Sequence, residues 1–393
     1  MREWVMNALR LIAPRLYRIT FIILSILPKD NKMIVFESFL GKQYSDNPKA
    51  LYLYIKEKYP DYKLYWSLNR EVIPSFAHED IQVIKRLSLK WILVMSRAKH
   101  WITNTRLPLW IPKSNETVYL QTWHGTPLKK LGIDIEEVRM PGTTTENYKR
   151  NFVNEAKKWD YLVSPNSYST NIFKGAFQFS GEIIESGYPR NDALNKKLIS
   201  REDLLKSLNL PLDKKIILYA PTWRDNQYHA KGEYKFNLEL DLKALEQELG
   251  DNYIVLLRTH YLIADQIDIE NYSGFVYDFS THNDISDLYL VSDILITDYS
   301  SVFFDYAVLR RPILFFVYDI KEYRDDIRGF YFDLEKYAPG PLLENNEQLL
   351  SALKRLNVDT FEPGPKYEDF IRTYCSLEDG NAAKRVVETL LER

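Results

Sequence analysis

The chain has 393 residues, 45% hydrophobic and 27% charged, with a formal net charge of −2 at pH 7. That is the profile of a globular protein of two ordinary domains, with no electrostatic reason to expect a nucleic-acid partner. One cysteine, Cys375, excludes an internal disulfide and fits a reducing cytosol, and the lack of any CxxC pair or Cys/His cluster argues against structural zinc.

Residues 1–30 have a texture of their own. Arg2, Arg10, Arg15 and Arg18 alternate with Trp4, Val5, Leu9, Leu11, Ile12 and Leu16, ahead of an apolar run from Ile19 to Leu27. The run falls short of the ~20 residues that span a bilayer. A secretory signal would need a small-x-small cleavage site, which Leu27 to Lys32 lacks. The pattern predicts an interfacial amphipathic helix, its arginines on anionic headgroups and Trp4, Leu9, Ile12, Leu16 and Phe21 in the acyl boundary. A helix packed on its own domain, or a subunit contact, is the alternative.

From Lys32 onward strands and helices alternate. Strands are expected at Met33–Glu37, Tyr62–Ser67, Ile81–Ile84, His100–Asn104, Thr117–Leu120 and Tyr161–Ser164. Helices are expected from Pro48, over Leu89–Ala98, over Thr145–Lys158 and from Ser167 towards Phe177. A charged, helical stretch from Asn195 to Lys214 precedes a second series. Its strands are Lys215–Ala220, Tyr253–Arg258, Phe275–Tyr277, Ile294–Thr297 and Ile313–Val317. Repeated βα units imply parallel sheets covered by helices. The expected fold class is therefore α/β, with two Rossmann-like domains facing a cleft. The expected domains are a membrane-association segment over 1–30, an acceptor domain over 31–205, a donor-binding domain over 206–375 and a terminal helix over 376–393.

Chemistry-bearing residues gather where strands end, the usual place for ligands in such sheets. After Thr117–Leu120 come His124, Gly125, Thr126, Pro127, Lys129 and Lys130, which is poor core material and leaves the imidazole open to a substrate. The lysines are candidates for guiding an anion, or are simply solvated. Arg190 with Asn191 and Asp192 could line the cleft or serve as plain turn chemistry. Thr222, Trp223 and Arg224 follow another strand, where a guanidinium suits phosphate unless a surface carboxylate takes it. Arg258 and His260 close the next one. Thr297 and Asp298 lead into Ser300 and Ser301 at the start of a helix expected over Val302–Leu309, where backbone N–H groups favour phosphate, though hydroxyl caps are also common for structural reasons alone. Asp305 reads as either a buried cap partner or a ribose ligand. No GxxxxGK[ST], no early GxGxxG and no DxD is present, so a P-loop ATPase, a conventional dinucleotide oxidoreductase and an obligatory metal are not indicated.

Taken together, Trp123–Lys130, Gly187–Asp192, Tyr219–Asp225, Leu257–Tyr261 and Ile296–Asp305 resemble, in order, the motifs of the CDP-glycerol glycerophosphotransferases of wall teichoic acid synthesis. The resemblance runs from about Phe36 to the C-terminus and implies the two-domain architecture called GT-B. It implies transfer of glycerol phosphate from CDP-glycerol to a polyprenyl-diphosphate-linked acceptor at the cytoplasmic face of the membrane, with release of CMP. His124, His260 and Arg224 would be catalytic, His124 as general base. Gly125, Thr126, Lys129, Arg190, Asn191, Thr222, Trp223, Arg258, Thr297, Asp298, Ser300, Ser301 and Asp305 would bind substrate. No required cofactor is expected, with Mg2+ kept as an alternative that no motif indicates, and a homo-oligomer is left open. The short N-terminal segment, where polymerising members often carry an additional region, favours a priming-type enzyme adding one or a few units. A ribitol-phosphate donor and a sugar-nucleotide glycosyltransferase of the same architecture are the alternatives.

Overall fold

The computed structural model describes residues 15–138, 142–196, 199–222, 238–259, 270–324 and 329–392, with backbone alone for 228–230 and 233–234. Trp4, Leu9 and Ile12 of the expected interfacial helix, and Trp223, Arg224 and His260 of the expected site, lie outside these residues. The chain forms two compact units. The first takes residues 1–124, 149–190 and 381–393; the second takes 125–148 and 191–380. The sequence-based limit near residue 205 falls inside the second unit, and the chain passes from one unit to the other between His124 and Gly125.

In the first unit, apolar and β-branched runs form β1 (Asp30–Glu37), β2 (Lys63–Leu68), β3 (Val83–Lys85), β4 (Ala98–Thr103), β5 (Val118–Gln121), β6 (Tyr161–Ser164) and β7 (Glu182–Glu185). They make one parallel sheet in the order β3-β2-β1-β4-β5-β6-β7. Residues 33–37 of β1 are buried without a break, as expected of a strand covered on both faces. The helix Leu89–Arg97 starts where the Ser88 side chain accepts the Trp91 N–H, and it buries Trp91, Ile92, Val94 and Met95. Ala98 belongs to β4, so that helix ends one residue earlier than expected.

The second unit holds β8 (Lys215–Ala220), the small antiparallel pair β9 (Tyr228–Ala230) and β10 (Glu233–Tyr234), then β11 (Tyr253–Leu257), β12 (Val276–Asp278), β13 (Ile294–Thr297), β14 (Ile313–Phe316) and β15 (Leu342–Leu343). Its main sheet is parallel, in the order β12-β11-β8-β13-β14-β15. The β9–β10 pair was not foreseen. The stretch expected to be helical from Asn195 to Lys214 is broken into Asp192–Lys196 and Arg201–Ser207, the latter opened by a Ser200 cap on Asp203 N–H. The helix expected over Val302–Leu309 is a short one, Val302–Tyr306, tightening into a 3-10 turn at Ala307–Leu309.

Backbone 15–24 is helical. One residue of the expected lipid face points elsewhere. Phe21 is fully buried, edge-on to Trp101 at 6.0 Å, and the Tyr17 hydroxyl donates to the Leu87 carbonyl. Phe21 therefore belongs to the packing face, because the central strand β4 supplies it with an indole partner. Among the described residues, no helix is long and apolar enough to cross a membrane.

Candidate functional site

Each sheet has one place where the strand order reverses, and ligands of open α/β sheets sit outside the carboxyl ends there. In the first unit it lies between β1 and β4. The residues leaving those strands are Ser38–Gly41 and Asn104–Thr105, and His124 follows the next strand, β5.

The geometry around His124 is built from these ends. Its Nδ1 lies 2.8 Å from the Asn104 carbonyl oxygen. A carbonyl only accepts, so Nδ1 carries the proton and Nε2 keeps its lone pair. The ring stacks on Trp123 at 4.5 Å and is flanked by Phe39 at 6.1 Å. Trp123 is itself wedged among Phe152, Phe173 and Phe177, which explains how its backbone is kept at φ 53°. His124 is exposed, yet the surrounding protein displaces enough water to lower its pKa by desolvation. The Asn104 hydrogen bond and the charge of Asp46 oppose that shift, and the charges of Arg190 and Arg106 reinforce it. The imidazole is thus kept neutral, with its base nitrogen available.

Arg190 lines this region differently from the expectation. It is 8% exposed, with Nη1 donating to Asp46 at 2.9 Å and the guanidinium 4.7 Å over Tyr188. Its backbone N–H donates to Asn47 Oδ1, and Asn47 Nδ2 donates to the Trp123 carbonyl. Arg190 therefore braces the start of the helix Asp46–Lys58 against the Trp123–His124 turn. Asp46, Asn47 and Asn104 were not singled out in the sequence. The available signals were an Asp-Asn-Pro helix start and a polar residue ending an apolar strand.

In the second unit the reversal lies between β8 and β13. Thr297 Oγ1 donates to the Ala220 carbonyl at 2.7 Å. Asp298 Oδ1 accepts the Thr222 N–H at 2.7 Å and the Tyr299 N–H at 2.6 Å. Thr297 and Asp298, both buried, thereby fix the two loops that the sequence marked for phosphate. Ser301 makes no side-chain cap bond and Ser300 only a long one, 3.5 Å to Val302 N–H, so neither hydroxyl is fully spent on capping. Gly125 packs on this loop: a Cβ there would come within 2.6 Å of Ser301 Oγ. Asn191 Nδ2 donates to Asp305 Oδ1 at 2.9 Å, both residues being buried. Thr126 is buried, and Lys129 Nζ donates to the Tyr323 hydroxyl at 3.2 Å.

Arg258 follows β11 and has hydrogen-bond partners of its own. Its Nη1 donates to the Phe279 and Ser280 carbonyls at 2.7 and 2.6 Å, and burial lowers its pKa. Among the described residues it forms no ion pair with a carboxylate, so an anion would relieve a desolvated charge. No group of three or more His, Cys, Asp or Glu side chains among the described residues is arranged to hold a metal.

Residues 19–392 match the family described as CDP-Glycerol:Poly(glycerophosphate) glycerophosphotransferase. The chain is 54% identical to the "Teichoic acid poly(glycerol phosphate) polymerase" of Bacillus spizizenii, covering 100% of both chains. It is 50% identical to the "Teichoic acid glycerol-phosphate transferase" of Staphylococcus aureus, over 95% of this chain and 96% of that protein. Against the Bacillus subtilis poly(glycerol phosphate) polymerase it is 56% identical over 96% of its own length, but spans only 51% of that relative. Among solved structures, that of the wall teichoic acid polymerase TagF superposes with a TM-score of 0.87 at 42% identity, covering 99% of this chain and 96% of that one. A UDP-GlcNAc 2-epimerase from Neisseria meningitidis, at 14% identity and TM-score 0.55 over 92% of this chain and 100% of that one, shares the fold alone. With two parallel sheets, a strand-end histidine and a family match over nearly its whole length, the chain belongs to the CDP-glycerol:poly(glycerophosphate) glycerophosphotransferases.

Proposed function

We propose that the chain transfers glycerol phosphate from CDP-glycerol to a hydroxyl of a lipid-linked teichoic acid precursor. The observation that carries this reading is a strand-end histidine with Nδ1 committed to a carbonyl and Nε2 left as a base, in a chain of this family. The acceptor hydroxyl attacks the β-phosphorus in line. His124 Nε2 takes its proton, the new P–O bond forms, and the bond to CMP breaks. The loops fixed by Asp298, the Ser300–Ser301 turn and Arg258 receive the donor's phosphates, with His260 and Arg224 assigned to the leaving CMP. On the same reading the two units are the halves of a GT-B enzyme, and turnover needs no metal.

Glycerol is favoured over ribitol by identity. The glycerol-phosphate polymerase and transferase covered over 95% or more of both chains are 54 and 50% identical, whereas the ribitol-phosphate relatives are 31 and 28% and the glycerol-phosphate primases 29 and 31%. One solved TagF variant structure was obtained with CDPG. Relatives covered along nearly their whole length include both a polymerase and a transferase, so the number of units added is left to the acceptor assay. The assay measures CMP release from CDP-glycerol, CDP-ribitol and UDP-glucose, each with a lipid-linked disaccharide bearing or lacking one glycerol phosphate, and with EDTA added. CMP from CDP-glycerol alone, undiminished by EDTA, is expected. CMP from none of them would end this reading.

Peripheral attachment to the cytoplasmic face of the membrane is part of the proposal. Leu16, Ile19, Ile22, Ile23, Ile26 and Leu27 are exposed beside Arg15 and Arg18, while Phe21 anchors the opposite side. Ile19→Glu with Ile23→Glu is expected to abolish flotation with anionic vesicles and to spare CMP release with a short-chain soluble acceptor. Undiminished flotation would remove the membrane role from this face.

A further inference from the structure

Non-glycine residues held at positive φ are costly, and in folded proteins they cluster where function demands a particular backbone. Among the described residues eight adopt it: Phe39, Leu40, Asp46, Leu87, Trp123, Gln178, Asn209 and Arg310. Phe39, Leu40, Asp46 and Trp123 belong to the surroundings of His124 already described. Two of them, Phe39 and Leu40, are consecutive and form the turn that leaves β1. Something must hold that turn.

The end of β4 holds its amides, while Asn69, just after β2, donates to the Leu40 and Gly41 carbonyls. The Phe39 N–H donates to Asn104 Oδ1 at 2.8 Å, and the Leu40 N–H donates to Thr105 Oγ1 at 3.2 Å. Asn104 is completely buried. Its amide orientation is set by the Phe39 bond, since only the oxygen can accept. The same residue's main-chain carbonyl takes the His124 Nδ1 proton. One side of Asn104 therefore fixes a strained turn whose Phe39 ring flanks the imidazole, and the other fixes the imidazole's tautomer.

We propose that Asn104 is the positioning residue of the proton-transfer site, joining the two strand ends of the reversal point so that His124 presents Nε2 and not Nδ1 to the acceptor hydroxyl. This rests on the proposed role of His124. Asn104 touches neither substrate nor reacting atoms and acts through the histidine. Thr105 holds the neighbouring amide but contributes nothing to the tautomer, so its part is confined to the turn.

Two substitutions separate positioning from bulk stability. Asn104→Ala removes the acceptor for the Phe39 N–H and loosens the turn at Phe39, while Thr105 and Asn69 still hold Leu40 and Gly41. Asn104→Asp keeps an oxygen where Oδ1 stands. It also costs no hydrogen bond at the other position, because Asn104 Nδ2 has no partner among the described residues. The added carboxylate joins Asp46 in favouring imidazolium, against Arg190 and Arg106, the charged groups that face the ring.

The experiment has two readouts on the full chain. The first is the tautomer of His124, read from 15N chemical shifts and long-range couplings with 15N-histidine, the chain having six histidines and His124→Gln assigning the signal. Wild type is expected to show the Nδ1–H form, Asn104→Ala a mixture, and Asn104→Asp the Nδ1–H form again. The second is the pH dependence of kcat for CMP release. Asn104→Ala is expected to lower kcat about 10- to 100-fold, with the KM for CDP-glycerol changed less than about threefold, the scale of a misplaced catalytic group. Asn104→Asp is expected to recover much of kcat while moving the acidic limb to higher pH. A folded Asn104→Ala protein retaining pure Nδ1–H tautomer would overturn the proposal, and so would an unshifted acidic limb in Asn104→Asp. If wild type released no CMP, the proposed activity would fail while the tautomer measurement still judged Asn104.

Discussion

Replacing His124 with alanine is expected to lower the rate of CMP release at least ~100-fold, the low end of what a positioned general base contributes, with little change in the KM for CDP-glycerol. The split follows from position. His124 sits on the Asn104 carbonyl in the first unit, whereas the loops proposed to receive the donor's phosphates belong to the second. The pH profile carries the same argument. An imidazolium cannot accept the hydroxyl proton, so the rate falls as pH drops through the His124 pKa. Desolvation, the largest influence, places that pKa below the ordinary 6.5. The wild-type rate is therefore expected to be level from neutrality down to about 6.5 and to decline only below it. Steady-state kinetics between pH 5 and 8 check both points, and full activity in His124→Ala would remove the base from the mechanism.

The second large effect is expected at Asp298. A single carboxylate oxygen, almost fully buried, receives the Thr222 and Tyr299 N–H groups. Asp298→Ala leaves both donors without that acceptor, at about 1–3 kcal/mol for each unsatisfied group. The two together come to roughly 2–6 kcal/mol, and the upper half of that range would rank among the largest single-substitution losses. Asp298→Asn keeps an oxygen for both donors and loses only the charge, so an intermediate loss is expected, charge-assisted bonds being roughly twice as strong as neutral ones. Urea midpoints rank the three proteins. Because the same oxygen fixes the loops at Thr222 and Ser300–Ser301, the KM for CDP-glycerol should rise in the same order. Asp298→Ala matching wild type in both would show that other contacts hold those loops.

Much of this architecture is legible in the sequence because apolar runs and turn residues are local signals. Ile216–Ala220 or Ile294–Thr297 could be read as buried strands from composition alone, and His124 was conspicuous among residues unsuited to a core. Long-range pairing was not legible. Arg190 looks like a cleft-lining cation until Asp46 and Asn47, distant in sequence, are seen to occupy it. Asp305 looked equally suited to a ribose and to a buried partner, and in the fold it receives the Asn191 amide. Asn104 was invisible for a related reason: its importance comes from the order of strands in the sheet, which no local pattern encodes. The β9–β10 pair is too short for any period to register.

The last helix, Ala382–Leu391, has a consequence for biosynthesis. Ala383, Val386, Val387 and Leu390 complete the same hydrophobic cluster as Ile34, Phe36, Leu51 and Ile55, and the Arg385 guanidinium donates to the Ser186 carbonyl. The unit that starts to leave the ribosome first is therefore finished by residues made only after the second unit. While the second unit is still being translated, the nascent first unit must wait with an open apolar face, which is a window for chaperone capture or aggregation. A stop codon after Gly380 would make that waiting state permanent, although it leaves every residue of both strand-reversal sites in place.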